Sequence, residues 1–504
     1  MISASPHLHW FDWVVIGSYL VMLIAIGLYL SRRIKSFEQY FVAGRVMTTP
    51  ILICTLVSTY YGVDVLFGTS EVSYNEGIVA FFSYSMPTYF FFMIAAFAVA
   101  KRVRQTAFFS LPEIMGRHYG INAQVTAAMA SFVYALPALG LLGLGRAASV
   151  ILGWDPRVGA LVAGGVALAY TLTGGLWAVA ITDTIQFVLM ATTLAVAVPI
   201  VMMKTGSFIW SVNNLDSSYF DPLGGIPIWL VLTYAATGLS ILVEPGFYQR
   251  IFAAKSFKMV RNAMLIGLVV WGAYDWCVTA IGMLARNAVA HGYLSADIHP
   301  NEALLRAVVW ALPAGFAGVF LAGVLASEMS TIDSYCLIAG GNIVYDIYRP
   351  VFKPDIKDRD LVRYTKWGVV VSWILGYFLA FVFERIMALW VFLSTVLTST
   401  VFVPIMAALY WKWYKTRASG LLSSVAGLVV ALTYYVMLSQ IGSWSEEYGT
   451  YIWSFELMGA HVELWQEYAL FFSLPASVLA FFIGNCIGEP YVPERLPERS
   501  GAAR

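Results

Sequence analysis

The sequence predicts an all-α integral membrane protein of about 13 transmembrane helices, and three observations predict it. Charged residues are 12% of the 504 and apolar residues 60%, against roughly 25% and 45–50% in soluble domains. Runs near twenty apolar residues recur along the chain, the length that spans roughly 30 Å of hydrocarbon as helix. Two of these runs are interrupted at mid-depth by hydroxyls, glycine and acids, about 180 residues apart, and each opens a block of five spans, the spacing of an inverted 5+5 repeat. The alternation over about ten residues that a barrel strand needs is absent.

The expected spans lie at about 11–31, 46–70, 78–100, 123–152, 157–173, 176–203, 226–246, 258–285, 309–345, 364–384, 387–410, 418–439 and 465–487. Basic residues gather in the loops after every second span, among them Arg32, Arg33, Lys35, Lys101, Arg102, Arg104, Arg250, Lys255, Lys353, Lys357 and Lys412. By the positive-inside rule these loops are cytoplasmic, which puts the N-terminus outside and the C-terminus inside. The first run has no small-residue cleavage site before Arg32 and reads as a retained span. The organisation that follows is an extra helix and loop at 1–45, core repeats at 46–203 and 204–410, two extra helices at 411–488 and a polar, proline-bearing tail at 489–504. Cys54, Cys277, Cys336 and Cys486 sit singly in apolar runs, so neither a disulfide framework nor a zinc site is expected.

The second span carries Ser58-Thr59-Tyr60-Tyr61-Gly62-Val63-Asp64, where a break in the helix would free backbone carbonyls. In lipid, such carbonyls must be met by protein, water or an ion. The sixth span opens on Gly174-Gly175 and then presents Asp183 and Gln186 at i and i+3. That acid reads either as a pathway residue or as a structural hydrogen bond to nearby backbone. The seventh is interrupted at Thr233–Gly238 and ends on Glu244-Pro245-Gly246, with Gln249 and Arg250 following in the loop. Asp275, mid-span in the eighth, reads equally as a structural acid or a pathway acid. The loop 287–306 is polar and reads as exterior, with a short surface helix.

Within the ninth run, Ser327, Ser330, Thr331 and Ser334 fall at i, i+3, i+4 and i+7, one helical face. Such a stripe either lets two membrane helices pack closely or holds a cation. Glu328 and Asp333 lie in the same stretch, where a charge costs at least roughly 2.5 kcal/mol at the bilayer centre. Glu384 and Arg385 mark a span boundary, and 443–466, rich in Trp and Tyr, reads as an interfacial belt.

The Gly174-Gly175 to Gln186 run, Glu244-Pro245 to Arg250, and the Ser330-Thr331 helix leading to Val344-Tyr345-Asp346 together resemble the sodium:solute symporter family over about residues 8–487. The resemblance implies a LeuT-type inverted-repeat core with broken first and sixth core helices, and alternating access around a midplane site. It implies sodium held by the backbone carbonyls of Ser58, Tyr61 and Ser327 and the hydroxyls of Ser330 and Thr331. Five oxygens suit a hard cation. It further implies a second cation site or relay at Asp183, Asp333 and Ser334.

The expected activity is sodium-driven symport of a small organic solute, not enzyme catalysis. Tyr60, Asp64, Phe67, Glu71 and Glu328 are the candidate solute contacts. Three of these are acids and Tyr60 and Phe67 are aromatic, which favours an amine-bearing or zwitterionic solute. A proton-coupled symporter of the same fold, or a sugar or organic-acid substrate, is the alternative, and a membrane sensor a weaker one. The expected partners are Na+, the solute and the lipid bilayer, with no nucleic acid, for a monomer in the plasma membrane.

Overall fold

A computed structural model describes residues 8–489 apart from 33, 63, 107, 207–213, 225, 314, 384, 413–414, 447 and 458. The expected tail beyond Glu489, and Glu384, lie outside the described residues. In chain order the helices used below are α1 (Trp10–Ser31), α2 (Thr49–Tyr60), α3 (Ser70–Glu76), α4 (Phe81–Gln105), α5 (Ile121–Tyr134), α6 (Ala138–Leu152), α7 (Pro156–Leu172) and α8 (Gly174–Thr205). They continue as α9 (Ile228–Thr237), α10 (Pro245–Ala253), α11 (Phe257–Ala290), α12 (Phe316–Gly341), α13 (Asp358–Ala380), α14 (Ile386–Tyr410), α15 (Arg417–Ile441) and α16 (Ala469–Ile487).

Among the described residues ten helices are long and apolar enough to cross a membrane, or eleven when α2 and α3 count as one bent span. The expected count of thirteen is therefore not reached by that measure. Two expected spans form helices without meeting it: α7 is short, and α13 opens on Asp358, Arg359, Asp360, Arg363 and Lys366. The stretch expected as an interfacial belt, 443–466, is built mainly of strands. Ser443–Ser445, Thr450–Leu457 and Ala460–Trp465 pair as an antiparallel three-stranded meander, β1-β2-β3. Alternate β-branched and aromatic residues in Thr450-Tyr451-Ile452-Trp453 favour strand pairing over helix. The expected surface helix near 300 is instead Ala303–Ala311, and it buries Leu304, Leu305, Ala307 and Val308.

The breaks in the helices have local causes. Gly175, between α7 and α8, has φ 56 and ψ −167, and a Cβ there would lie 2.5 Å from the Tyr40 carbonyl oxygen. Only glycine meets both demands. The helical stretch Val65–Glu76, which ends in α3, is bent by 54° from α2. After α9 the chain tightens into a 3₁₀ turn, Gly238–Val243, and restarts at α10 with Glu244 as cap, its carboxylate accepting from Gly246 N (2.9 Å) and Phe247 N. A carboxylate at that position meets the free N–H groups and the positive end of the helix dipole.

Burial separates centre from rim. The membrane-length window of α12 is 83% buried and that of α1 only 22%, so the hydroxyl-bearing helix is the axis and α1 lies against lipid. Small residues allow the axis to be approached closely. A Cβ on Gly340 would stand 2.8 Å from both the Thr365 carbonyl oxygen and Val369 N, and one on Gly368 2.8 Å from the Gly340 carbonyl oxygen. Backbone cannot yield as a side chain can. Gly368→Val is therefore expected to destabilise the detergent-solubilised protein by about 1–3 kcal/mol through overpacking, read as a lower unfolding temperature. Gly17→Ala, where nothing lies within 4 Å of the added carbon, is expected to be neutral or slightly stabilising in the same assay.

Candidate functional site

Helix α2 ends at Tyr60 in the protein interior, so its last carbonyls have no continuing helix to bond. The hydroxyl face of α12 meets them. Ser330 Oγ donates to the Ser58 carbonyl oxygen at 2.8 Å, Thr331 Oγ1 to that of Thr59 at 3.1 Å, and Ser327 Oγ to that of Tyr61. The Ser327 carbonyl oxygen also lies 2.8 Å from Ser330 Oγ and 3.2 Å from Thr331 Oγ1. Four carbonyls thus share three hydroxyl protons, and the group carries surplus oxygen lone pairs in a dry interior. Such a group attracts a small hard cation. The five expected ligand atoms, on Ser58, Tyr61, Ser327, Ser330 and Thr331, all lie in this group, together with the unexpected Thr59.

One turn along α12, a second polar cluster joins five helices. Asp183 of α8 faces Arg250 of α10 at 3.7 Å, both fully buried. The guanidinium also donates to Thr55 Oγ1 at 3.2 Å, to Thr59 Oγ1, and to Ser334 Oγ at 2.7 Å. Thr55 and Thr59 in turn donate to Asp183. Asp333 accepts from Tyr170 Oη at 3.0 Å and Ser334 Oγ at 3.3 Å. Asp183, Asp333 and Ser334 are therefore brought together as expected, yet a protein cation already stands among them. Assigning Arg250 to a cytoplasmic loop is corrected here, since its side chain is 1% exposed. The sequence signal was the turn it follows: Glu244 caps α10, and Arg250 then falls on that helix, one turn and a half from the cap, pointing into the core.

The candidate solute contacts scatter. Tyr60 lines a narrow cavity with Tyr134, Tyr335, Trp390, Thr59 and Thr331, directly beside the oxygen group. Tyr61 turns away, its hydroxyl donating to the Trp271 carbonyl oxygen at 2.6 Å and to Asp275 at 3.0 Å. Phe67 is wholly buried in the core. Glu71 is paired with Arg385, which also donates to the Tyr448 carbonyl oxygen at 2.8 Å, so its charge is compensated by protein. Glu328 is fully enclosed on α12. The side chain of Asp64 lies outside the described residues.

Comparison with known proteins follows this geometry. The sodium/pantothenate symporter of Haemophilus influenzae is 24% identical over 92% of this chain and 93% of its own length. The high-affinity choline transporter 1 of Caenorhabditis elegans is 24% identical over 83% of this chain and 77% of its own. Among solved structures, a Na+-coupled sialic acid symporter in a substrate-bound outward-open state superposes with a TM-score of 0.77 at 15% identity, covering 97% of this chain and 100% of that one. A nucleobase-cation-symport-1 transporter, Mhp1, gives 0.53 at 12% identity over 90% of this chain and 96% of its own. These likenesses show the LeuT-type fold. Residues 40–427 match the family description itself, and with it the chain belongs to the sodium:solute symporter family.

Proposed function

We propose that the oxygen group between α2 and α12 holds the coupling sodium, with Ser58, Tyr61 and Ser327 offering carbonyls and Ser330 and Thr331 hydroxyls. Membership of the family makes the chain a sodium-coupled symporter of a small organic solute and not an enzyme. The observation that carries the site is the excess of carbonyl oxygens over hydroxyl protons where α2 stops short in the interior. Sodium entering it would tie the broken helix to α12, and the cavity beside Thr331 and Tyr60 is where a solute would feel that change. An ion shifts the balance of two states only through its different affinity for them.

We read Asp183, Asp333 and Ser334 as an ion-paired joint, because the Arg250 guanidinium already occupies the space a second cation would take. The two repeats are taken as 46–203 and 204–410, the solute as moving inward, and the chain as a plasma-membrane monomer with its N-terminus outside. Lys101 and Arg102 at the C-terminal end of α4, and Lys353 and Lys357 in the loop before α13, support that orientation.

Removing a hydroxyl ligand is expected to weaken sodium binding about tenfold to a hundredfold, since a hydrogen-bonding group facing a charge is worth about 1.5–3 kcal/mol. Ser330→Ala and Thr331→Ala should each need that much more sodium to stabilise the purified protein against heat, with potassium as the control salt. Unchanged sodium dependence in both would sink the site. In the joint, Arg250→Met is expected to cost about 3–5 kcal/mol by leaving Asp183 buried and unpaired. Adding Asp183→Asn should recover part of that loss in denaturant melts, whereas strict additivity of the two substitutions would mean that the groups do not interact.

A further inference from the structure

Asp275 is buried at mid-span in α11, 3% exposed, inside an aromatic shell. Its carboxylate accepts from Tyr61 Oη at 3.0 Å and from Tyr89 Oη. Trp271, one turn away, lies between Phe92, with ring centroids 4.4 Å apart, and Tyr60, at 5.4 Å. Among the described residues no Arg, Lys or His side chain forms an ion pair with Asp275. Two other buried acids, Asp183 and Glu71, by contrast face Arg250 and Arg385. A narrow cavity opens against this carboxylate, walled by Tyr60, Tyr61, Tyr84, Tyr89 and Trp271. The buried Nε1–H of Trp271 meets no acceptor among the described residues, which leaves a donor to spare on that wall.

We infer that this cavity takes the ammonium group of the transported solute, with Asp275 as counter-ion and the Tyr60 and Trp271 rings as its cation-π walls. This rests on the symport reading above and names the substrate class for it. The physical reasons are independent of one another. A buried carboxylate without a cation is unfavourable, and two phenol donors supply hydrogen bonds but no positive charge. Tyrosine and tryptophan faces are the surfaces that favour a desolvated ammonium. The cavity is too narrow for a whole solute, but Tyr60 lines it and the cavity beside Thr331 alike. The ammonium end then sits at Asp275 while the remainder extends past Tyr60 toward Thr59 and Thr331, whose oxygens belong to the proposed ion site. That arrangement places the charged end of the solute and the sodium on opposite sides of one residue of the broken helix.

The test uses the purified full-length protein in sodium, by calorimetry with choline and ethanolamine as probes and with the neutral isostere of choline, in which carbon replaces nitrogen. At least one ammonium probe should bind about tenfold or more tightly than the isostere, and Asp275→Asn should weaken that probe about tenfold or more. In the same samples Asp275→Asn should keep a single cooperative thermal unfolding transition, which shows the variant is folded. If sodium stabilises the wild type but neither ammonium probe outbinds the isostere, the ammonium assignment is overturned and the symport reading stands. Unchanged probe affinity in a folded Asp275→Asn protein also overturns it. Absence of any sodium-dependent stabilisation in the wild type counts against the proposed ion site instead. Should the variant not fold, the comparison of probe with isostere on the wild type decides alone.

Discussion

A helix that stops in the middle of a membrane protein has to give its last carbonyls a partner, and this constraint organises the molecule. Tyr60 ends α2 deep inside, beyond the reach of water that would otherwise solvate those oxygens. The partner is a face of α12 on which Ser327, Ser330 and Thr331 recur at helical spacing. Meeting that demand requires α12 to be central, and it is the most buried of the spanning helices. Close glycine contacts with α13, and the docking of α1 through Asp12 onto Gly318 N at 2.6 Å, keep it there. The same oxygens that solve a hydrogen-bonding problem are the ones a hard cation would use, so packing and ion chemistry are not separate features of this helix.

The second constraint is charge. Asp183 and Arg250 come from different helices, α8 and α10, and in a dry interior neither can stand alone without a penalty of several kcal/mol. Their pairing, with Thr55, Thr59 and Ser334 completing the donors and acceptors, ties α8, α10, α2 and α12 at one point. Thr59 belongs to both polar groups, its hydroxyl to the ion pair and its carbonyl to Thr331. A shift of α2 relative to α12 therefore disturbs the ion pair and the oxygen group together. Coupling through such a shared residue needs no longer pathway than one side chain.

How much of this the sequence showed depends on the range of the physics involved. Helical face and helix breaking are local properties, so the Ser327 to Ser334 stripe, the interruption at Ser58–Asp64 and the glycine turn at Gly175 could be read from spacing alone. Burial is not local. Arg250 carries the same charge as its loop neighbours Lys255 and Lys258, and counting charge by loops placed it with them, although the capped turn at Glu244 starts a helix that carries it inward. The meander at 443–465 was hidden because Trp and Tyr serve membrane interfaces and strands equally well. Glu71 looked like a solute contact for want of its partner Arg385, more than three hundred residues away in sequence. The short α7 and the charged first turns of α13 are helices that hydropathy alone does not count as spans.

The choice of neutral ligands at the proposed ion site has an energetic consequence. A carboxylate there would hold sodium more tightly, but once emptied it would leave a bare charge in the interior, and the empty carrier could return only by moving that charge through the field, at roughly 2.3 kcal/mol per 100 mV. Carbonyls and hydroxyls avoid this. When no ion is present, Ser327, Ser330 and Thr331 turn their protons onto the carbonyls of α2, three hydrogen bonds each worth about 1 kcal/mol net. The empty group is then neutral and largely satisfied, and of the charged groups nearby Asp183 and Arg250 are paired with each other. Sodium has only to outbid a few kcal/mol of hydroxyl contacts to bind, and leaves no uncompensated charge behind when it departs.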